Sequence, residues 1–133
     1  GTTKHLKAIS ALNLATAWVV GDDGTTLRTE DGGASWRSQG AATSKDLRGV
    51  SAASSDVAWA VGDDGTILRT SNGGFVWAVQ PTGTGRDFHG IKALDAQTAI
   101  AVGDDGEIRS TTDGGAHWLE EPIQHGQHLW GVD

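Results

Sequence analysis

The sequence of 133 residues contains no cysteine, no methionine and no tyrosine. The lack of cysteine excludes disulfides, thiol nucleophiles and cysteine-ligated metal sites, so packing has to hold the chain together. Basic side chains are also scarce, because 10 Lys and Arg stand against 17 Asp and Glu for a net charge of -7. A nucleic-acid-binding surface needs clustered basic residues to neutralise phosphates. We therefore expect no nucleic-acid partner.

Long apolar runs are missing as well. No stretch approaches the roughly 18 residues that a membrane-spanning helix requires, so we expect no membrane span. The length gives room for one ordinary domain. The absence of any methionine is compatible with a mature product, an excised piece, or an engineered fragment with no function of its own.

The chain does contain an internal repeat of 41 residues, which decides the predicted architecture. The tetrapeptide Gly-Asp-Asp-Gly occurs at 21–24, 62–65 and 103–106, and a tryptophan recurs at the same interval. This spacing predicts three full repeats and the start of a fourth. Their predicted bounds are 5–45, 46–86, 87–127 and, for the partial repeat, 128–133.

Each repeat has the short β-rich runs and glycine-rich turns that are typical of strands, such as Ala17–Val20. Four strands fit each unit, and in the first repeat they start near residues 5, 15, 24 and 34. The Asp-Asp-Gly step predicts a tight hairpin between the second and third strands, because glycine takes a positive φ without strain and aspartate tolerates turn geometry. Four strands in about 40 residues predict an all-β propeller with three four-stranded blades and one extra strand.

The turn before the fourth strand carries a second repeated motif, Thr29-Glu-Asp-Gly-Gly-Ala-Ser-Trp36 in the first repeat. It resembles the Asp box, also called the bacterial neuraminidase repeat. An Asp or Asn in this turn accepts backbone N–H groups, the glycines take conformations that a Cβ forbids, and the tryptophan packs on the sheet. The predicted structural residues are Asp31, Trp36, Asn72, Trp77, Asp113 and Trp118.

The segment before each Asp box, Ala-Trp-x-Val-Gly-Asp-Asp-Gly-Thr-x-Leu-Arg-Thr, is similar to the photosystem II stability and assembly factor family over residues 5–133. This resemblance implies a non-enzymatic scaffold that holds a protein client on an arginine-bearing surface, in a compartment outside the cytoplasm. The third repeat departs from the pattern, with Ile100 in place of Trp and Arg109-Ser110 in place of Leu-Arg.

Three blades make an arc, because propellers close with about four to eight blades. The two end faces of the arc are left without a neighbour, and an uncovered apolar face reduces solubility. We expect a second copy of the chain to complete a six-bladed ring about a twofold axis. Residues 128–133 are then expected to pair with the first blade of that copy.

Basic side chains recur on and just before the innermost strand of each repeat. They predict a collar around the channel that suits a carboxylate-bearing or phosphate-bearing ligand, and the competing interpretation, which we favour, is that these charges are solvated or paired with Asp46 and Asp87. The candidate collar consists of two sets of equivalent residues. One set lies on the innermost strands: Lys7, Arg48, His89 and, in the partial repeat, Trp130. The other set lies just before those strands: Lys4, Lys45 and Arg86.

An enzyme is not expected. Sialidases use a tyrosine nucleophile, which this chain lacks, and other glycosidases need two specially placed carboxylates. The unrepeated acids are Glu107, Glu120 and Glu121, which we interpret as strand and edge residues. No metal or cofactor is expected, because two aspartates per turn fall short of a Ca²⁺ ligand set.

Two alternatives remain open from the sequence. Glycan binding between blades competes with protein or peptide binding at the channel face. Trp18 and Trp59 lie in apolar runs, so we predict core packing for them rather than sugar stacking. Arg28 and Arg69 recur beside leucines and are interpreted as side chains that hold neighbouring blades together.

Overall fold

A computed structural model describes residues 2–39 and 42–121 of the chain. The predicted strand at 128–133 and the candidate Trp130 lie outside these ranges. No helix among the described residues is long and apolar enough to cross a membrane. The strands are β1 (Leu6–Ala11), β2 (Ala17–Gly21), β3 (Thr26–Thr29), β4 (Arg37–Gln39), β5 (Leu47–Ala52), β6 (Ala58–Gly62), β7 (Ile67–Thr70), β8 (Trp77–Val79), β9 (Phe88–Ala93), β10 (Ala99–Gly103), β11 (Ile108–Thr111) and β12 (Leu119–Glu120).

The described strands form three antiparallel sheets of four strands each, in the orders β1-β2-β3-β4, β5-β6-β7-β8 and β9-β10-β11-β12. We call these sheets blades 1, 2 and 3. The prediction of an all-β propeller with three four-stranded blades is confirmed. The innermost strands β1, β5 and β9 lie side by side, and Gly49 makes this close approach possible. A Cβ at Gly49 would stand 3.3 Å from the Cα of Gly90 on the next blade.

The Asp-Asp-Gly segments join the second and third strands of each blade, and the predicted antiparallel pairing of those strands is confirmed. Each turn is one short 3₁₀ segment, Asp22–Gly24 in blade 1, rather than a two-residue hairpin loop. Asp23 and Gly24 both adopt the left-handed conformation, with φ of 55° and 72°. Only glycine and small polar residues take such angles readily, which explains why the turn sequence repeats.

The core of the molecule lies between the blades. Trp18 of blade 1 and Trp59 of blade 2 are both fully buried, which confirms the prediction that they are core residues. Trp18 packs with Leu47 and Leu68 of blade 2, whereas Trp59 packs with Phe88 of blade 3. Blades 1 and 2 therefore each need the next blade in order to bury their tryptophan faces.

The same polar contacts join blade 1 to blade 2 and blade 2 to blade 3. A serine on the innermost strand accepts a backbone N–H of the next blade, at 3.1 Å for Ser10 and 2.9 Å for Ser51. Arg28 stacks over the Trp18 ring and donates to the carbonyl of Ser55 at 3.1 Å. Arg69 likewise stacks over Trp59 and donates to the carbonyl of Ala96 at 2.7 Å. These contacts support our interpretation of the two arginines as interblade links.

A glutamine on or after the outer strand completes each junction. Gln39 donates to the carbonyl of Gly73 at 2.9 Å and accepts the indole N–H of Trp77 at 3.3 Å. Gln80 lies against Gly115, where an added Cβ would stand 1.6 Å from the Gln80 Oε1. We refer to the three repeated residues of blades 1 and 2 as the linking side chains: Ser10, Arg28 and Gln39, and Ser51, Arg69 and Gln80.

Gly62 provides a test of how tightly the Asp-Asp-Gly turn is held against the innermost strand. Its φ of -170° is extended, so alanine fits the backbone conformation there. A Cβ at Gly62 would stand 1.9 Å from the Asp46 carbonyl oxygen, which as a backbone atom cannot easily move. We expect Gly62→Ala to lower the free energy of unfolding by about 1–3 kcal/mol, measured by urea denaturation. Gly85→Ala is the matched control because nothing lies within 4 Å of its added Cβ; equal midpoints for the two variants would contradict the prediction.

Candidate binding rim

The Asp-Asp-Gly turns and the ends of the innermost strands share one edge of the three blades, which we call the rim. The residue before each innermost strand pairs with the second aspartate of its own turn. Lys4 Nζ lies 2.7 Å from Asp23, and Lys45 Nζ lies 2.6 Å from Asp64. In blade 3 Arg86 takes this place, with its Nη1 2.9 Å from Asp105.

The first aspartate of each turn pairs with a side chain on the innermost strand itself. Lys7 Nζ lies 3.2 Å from Asp22. Arg48 contacts Asp63 through both Nε and Nη2, and His89 Nε2 lies 2.5 Å from Asp104. The six described members of the predicted collar are thus brought to one edge of the fold, each against a carboxylate.

These ion pairs raise the pKa values of three rim cations. The hydrogen bond to Asp23 is the largest cause that raises the pKa of Lys4, and Asp64 acts in the same way on Lys45. The hydrogen bond to Asp63 likewise raises the pKa of the Arg48 guanidinium. These three side chains are therefore held in their charged forms throughout the physiological range.

The collar side chains form their ion pairs with the turn aspartates. The sequence had suggested Asp46 and Asp87 as partners instead. Asp46 instead accepts the backbone N–H of Asp23 at 2.9 Å, and Asp87 accepts that of Asp64 at 2.9 Å. These two aspartates bridge from one blade to the turn of the previous blade. They fix the position of the turns and hence of the rim carboxylates.

The Asp-box turns lie at a different part of each blade from the rim, and their Asp and Asn side chains bond to groups within the same turn. The side chain of Asp31 accepts the backbone N–H of Ser35 at 2.8 Å, and the equivalent bonds at Asn72 and Asp113 are both 3.0 Å. Trp77 and Trp118 are buried, whereas Trp36 of blade 1 is partly exposed because none of the described blades covers it.

The unrepeated acids of blade 3 are engaged in structure. Glu107 is buried and lies 2.5 Å from Arg109, which also approaches Glu120 at 4.0 Å. Glu121 accepts the hydroxyl of Ser110 at 2.6 Å. Among the described residues, no group of three or more His, Asp and Glu is arranged to hold a metal ion.

Sequence reasoning missed the link between Glu107 and the rim. Its carboxylate lies 3.5 Å from Arg86 Nε as well as against Arg109, so one buried acid holds a rim cation and a strand cation together. The available signal was that Glu107 and Arg109 depart from the repeat together. They replace Thr and Leu two residues apart on one strand edge, which is typical of a compensating ion pair.

Three four-stranded blades with a repeated turn motif define the chain as part of a β-propeller of the bacterial neuraminidase repeat class. The family model described as photosynthesis system II assembly factor YCF48 matches residues 1–125. The chain belongs to this family. Among curated proteins, no significant sequence match is found.

Solved structures give the same fold. A YCF48 bound to D1 peptide is 26% identical with a TM-score of 0.83, and covers 93% of this chain. YCF48 from Cyanidioschyzon merolae is 25% identical with a TM-score of 0.76 over the same 93%. The chain spans 42% of the length of each of these two structures. A GH74 enzyme from Niastella koreensis superposes with a TM-score of 0.72 at 14% sequence identity. The match covers 95% of this chain and 24% of the enzyme chain, and it shows a likeness of fold alone.

The Asp-box turns give a prediction for acid stability. The hydroxyl of Ser35 is the largest cause that lowers the pKa of Asp31 to about 2, and the backbone N–H of His117 does the same for Asp113. A folded-state pKa below the ordinary 3.8 stabilises the fold above that pH, and this contribution is lost as the pH falls towards 2. Asp31→Asn with Asp113→Asn should therefore flatten the loss of stability between pH 3.8 and about 2.

The measurement is the urea midpoint at a series of pH values. Blade 2 supplies the reverse control, because Asn72 already fills the equivalent turn and does not titrate. Asn72→Asp should make the acid dependence steeper. An unchanged slope in both variants would show that these turns carry no linked stability.

Proposed function

We propose that the chain acts as a non-enzymatic protein-binding scaffold, with an extended peptide of a client protein as ligand at the rim. The observation that carries this proposal is the match over 93% of the chain to a YCF48 that is bound to D1 peptide. Membership of the assembly-factor family supports the same class of function.

The charge pattern of the rim supports a peptide rather than a simple anion as the ligand. Five formally cationic side chains stand among six aspartates, so the rim offers alternating donors and acceptors with no net positive charge. An extended peptide backbone offers N–H and C=O groups in alternation and matches both kinds of partner. Arg48 engages Asp63 through Nε and Nη2, which leaves donors on Nη1 for a peptide carbonyl or carboxylate.

Two contacts favour this function over hydrolysis or glycan binding. The acids that a glycosidase would need are used elsewhere, since Glu107 is buried against Arg109. The second-strand tryptophans Trp18 and Trp59, which the sequence offered as a sugar-stacking platform, are fully buried inside the blade junctions. We therefore place hydrolysis and glycan binding behind peptide binding.

The proposal includes completion of the ring by further blades. Leu6 and Ile9 on the open face of blade 1 are 50% and 63% exposed, whereas their counterparts Leu47 and Val50 in blade 2 are buried. A ring removes this exposed apolar area and gives the rim a closed outline. The second copy expected from the sequence is one source of such blades, and its suitability depends on the chemistry of blade 3.

Rim substitutions test peptide binding. We expect Arg48→Ala and Arg86→Ala each to weaken the binding of D1 peptide about tenfold, because a hydrogen bond to a charged group contributes about 1.5–3 kcal/mol. Isothermal titration calorimetry gives the dissociation constants. Arg37→Ala is the matched control, because Arg37 lies on the outer strand β4 and is similarly exposed. Equal affinities for the rim variants and this control would contradict the proposed site.

A further inference from the structure

The two interior junctions provide a template for what a blade face of this protein requires. In both, the earlier blade supplies a serine, an arginine stacked on a tryptophan, and a glutamine, which donates to a backbone carbonyl in the first junction and lies against Gly115 in the second. The later blade supplies the apolar face, a backbone N–H and a backbone carbonyl. Because the same set recurs after 41 residues, it describes the junction itself rather than one local accident.

The open face of blade 1 keeps the receiving half of this template. It presents Leu6, Ile9, Val19, Leu27 and Trp36, the counterparts of the blade 2 residues that blade 1 covers. Four of these residues line a groove of about 680 Å³ together with Thr2, Ala34 and Ser35. The Asp-box turn with its two glycines is also present beside Trp36.

The face of blade 3 that no described residue of another blade covers lacks the supplying half of the template. Lys92 replaces the linking serine, Ile100 the tryptophan, Ser110 the arginine and Glu121 the glutamine. Ser110 and Glu121 are instead bonded to each other at 2.6 Å within blade 3. All four positions of the template are therefore changed at this end.

These changes bear directly on a second copy as the partner. Its blade 3 would bring Lys92, a donor, against the backbone N–H that a serine oxygen accepts in the interior junctions. It would also bring the Glu121 carboxylate against the Gly32 carbonyl of blade 1, the counterpart of the Gly73 carbonyl to which Gln39 donates. Like groups would then face each other in a desolvated junction, which is costly because each loses its water without gaining a partner.

We propose that the open face of blade 1 binds a propeller blade that presents serine, tryptophan, arginine and glutamine at the four template positions, and that blade 3 of a second copy is not that partner. This inference rests on the ring completion in the proposed function. It specifies the partner by its chemistry: an apolar strand face with a tryptophan-stacked guanidinium and neutral hydrogen-bonding side chains.

The experiment restores the missing half in the full chain. The variant Lys92→Ser, Ile100→Trp, Ser110→Arg, Glu121→Gln presents the complete template on blade 3. Multi-angle light scattering should find this variant at twice the chain mass of 13.8 kDa or above, under conditions in which the native sequence stays at 13.8 kDa. A fully folded variant that remains at the single-chain mass would overturn the proposal.

Two further substitutions locate the association. Ile9→Lys, added to the variant, should return it to the single-chain mass, because Ile9 lies on the receiving face and is 63% exposed. Val79→Lys is the matched control on the outer strand β8, where Val79 is 59% exposed, and should leave the association unchanged. If the native sequence already forms a dimer that Ile9→Lys separates, a second copy is the partner and the inference is wrong.

An interior test covers the case in which the restored variant fails to fold. Ser10→Lys, Arg28→Ser and Gln39→Glu transfer the blade 3 residues into the junction between blades 1 and 2. We expect a clear fall in the urea midpoint relative to Ser38→Lys on β4, and an unchanged midpoint would overturn the template. Peptide binding is measured separately by calorimetry, so its failure would remove the client site without affecting this result.

Discussion

The structure depends on one constraint: a four-stranded blade has an apolar face on each side and can cover neither by itself. The buried tryptophans show how the constraint is met. Trp18 is fully buried only because blade 2 lies over it, and Trp59 only because of blade 3. Burial of a large aromatic side chain is among the strongest single contributions to a fold. The stacked arginines turn this burial into a defined geometry, because a guanidinium that lies on the ring and donates to the next blade fixes both distance and angle.

The rim follows from the same constraint. Because successive blades pack in the same way, residues that repeat in the sequence repeat around the axis, and each rim cation meets the turn of its own blade. Asp46 and Asp87 then tie the turns of blades 1 and 2 to the following blade by accepting a backbone N–H. The resulting order of cations and carboxylates is set by blade packing before any client arrives. Such preorganisation lowers the entropy that peptide binding has to offset.

Much of this fold could be predicted from the sequence because its signals are local. The strand runs, the positive-φ turn at Asp23 and Gly24, and the core tryptophans all appear within a few residues of one another. The carboxylate partners of the collar could not be predicted in the same way. Lys4 and Asp23 are 19 residues apart and meet only because β1 and β2 form a hairpin with a bulge in its register. Sequence proximity favoured Asp46 as the partner of Lys45, but its carboxylate was already committed to a backbone donor in the neighbouring blade. The predicted blade bounds and Trp130 remain predictions.

The positions at which the third repeat departs from the other two are distributed unevenly over the two faces of blade 3. On the side that faces blade 2, blade 3 keeps the receiving features: the Ala93 N–H, the Ala96 carbonyl and a buried Trp118. The one intrusive residue on that side, Arg109, is compensated by the buried Glu107. On the opposite side the four template positions all change. These four changes lie on the face of blade 3 that no described blade covers. Blade 3 thus packs against blade 2 in the same way as blade 2 packs against blade 1. Its other face lacks the side chains that blades 1 and 2 present to the next blade, so the two ends of the three-blade unit differ chemically.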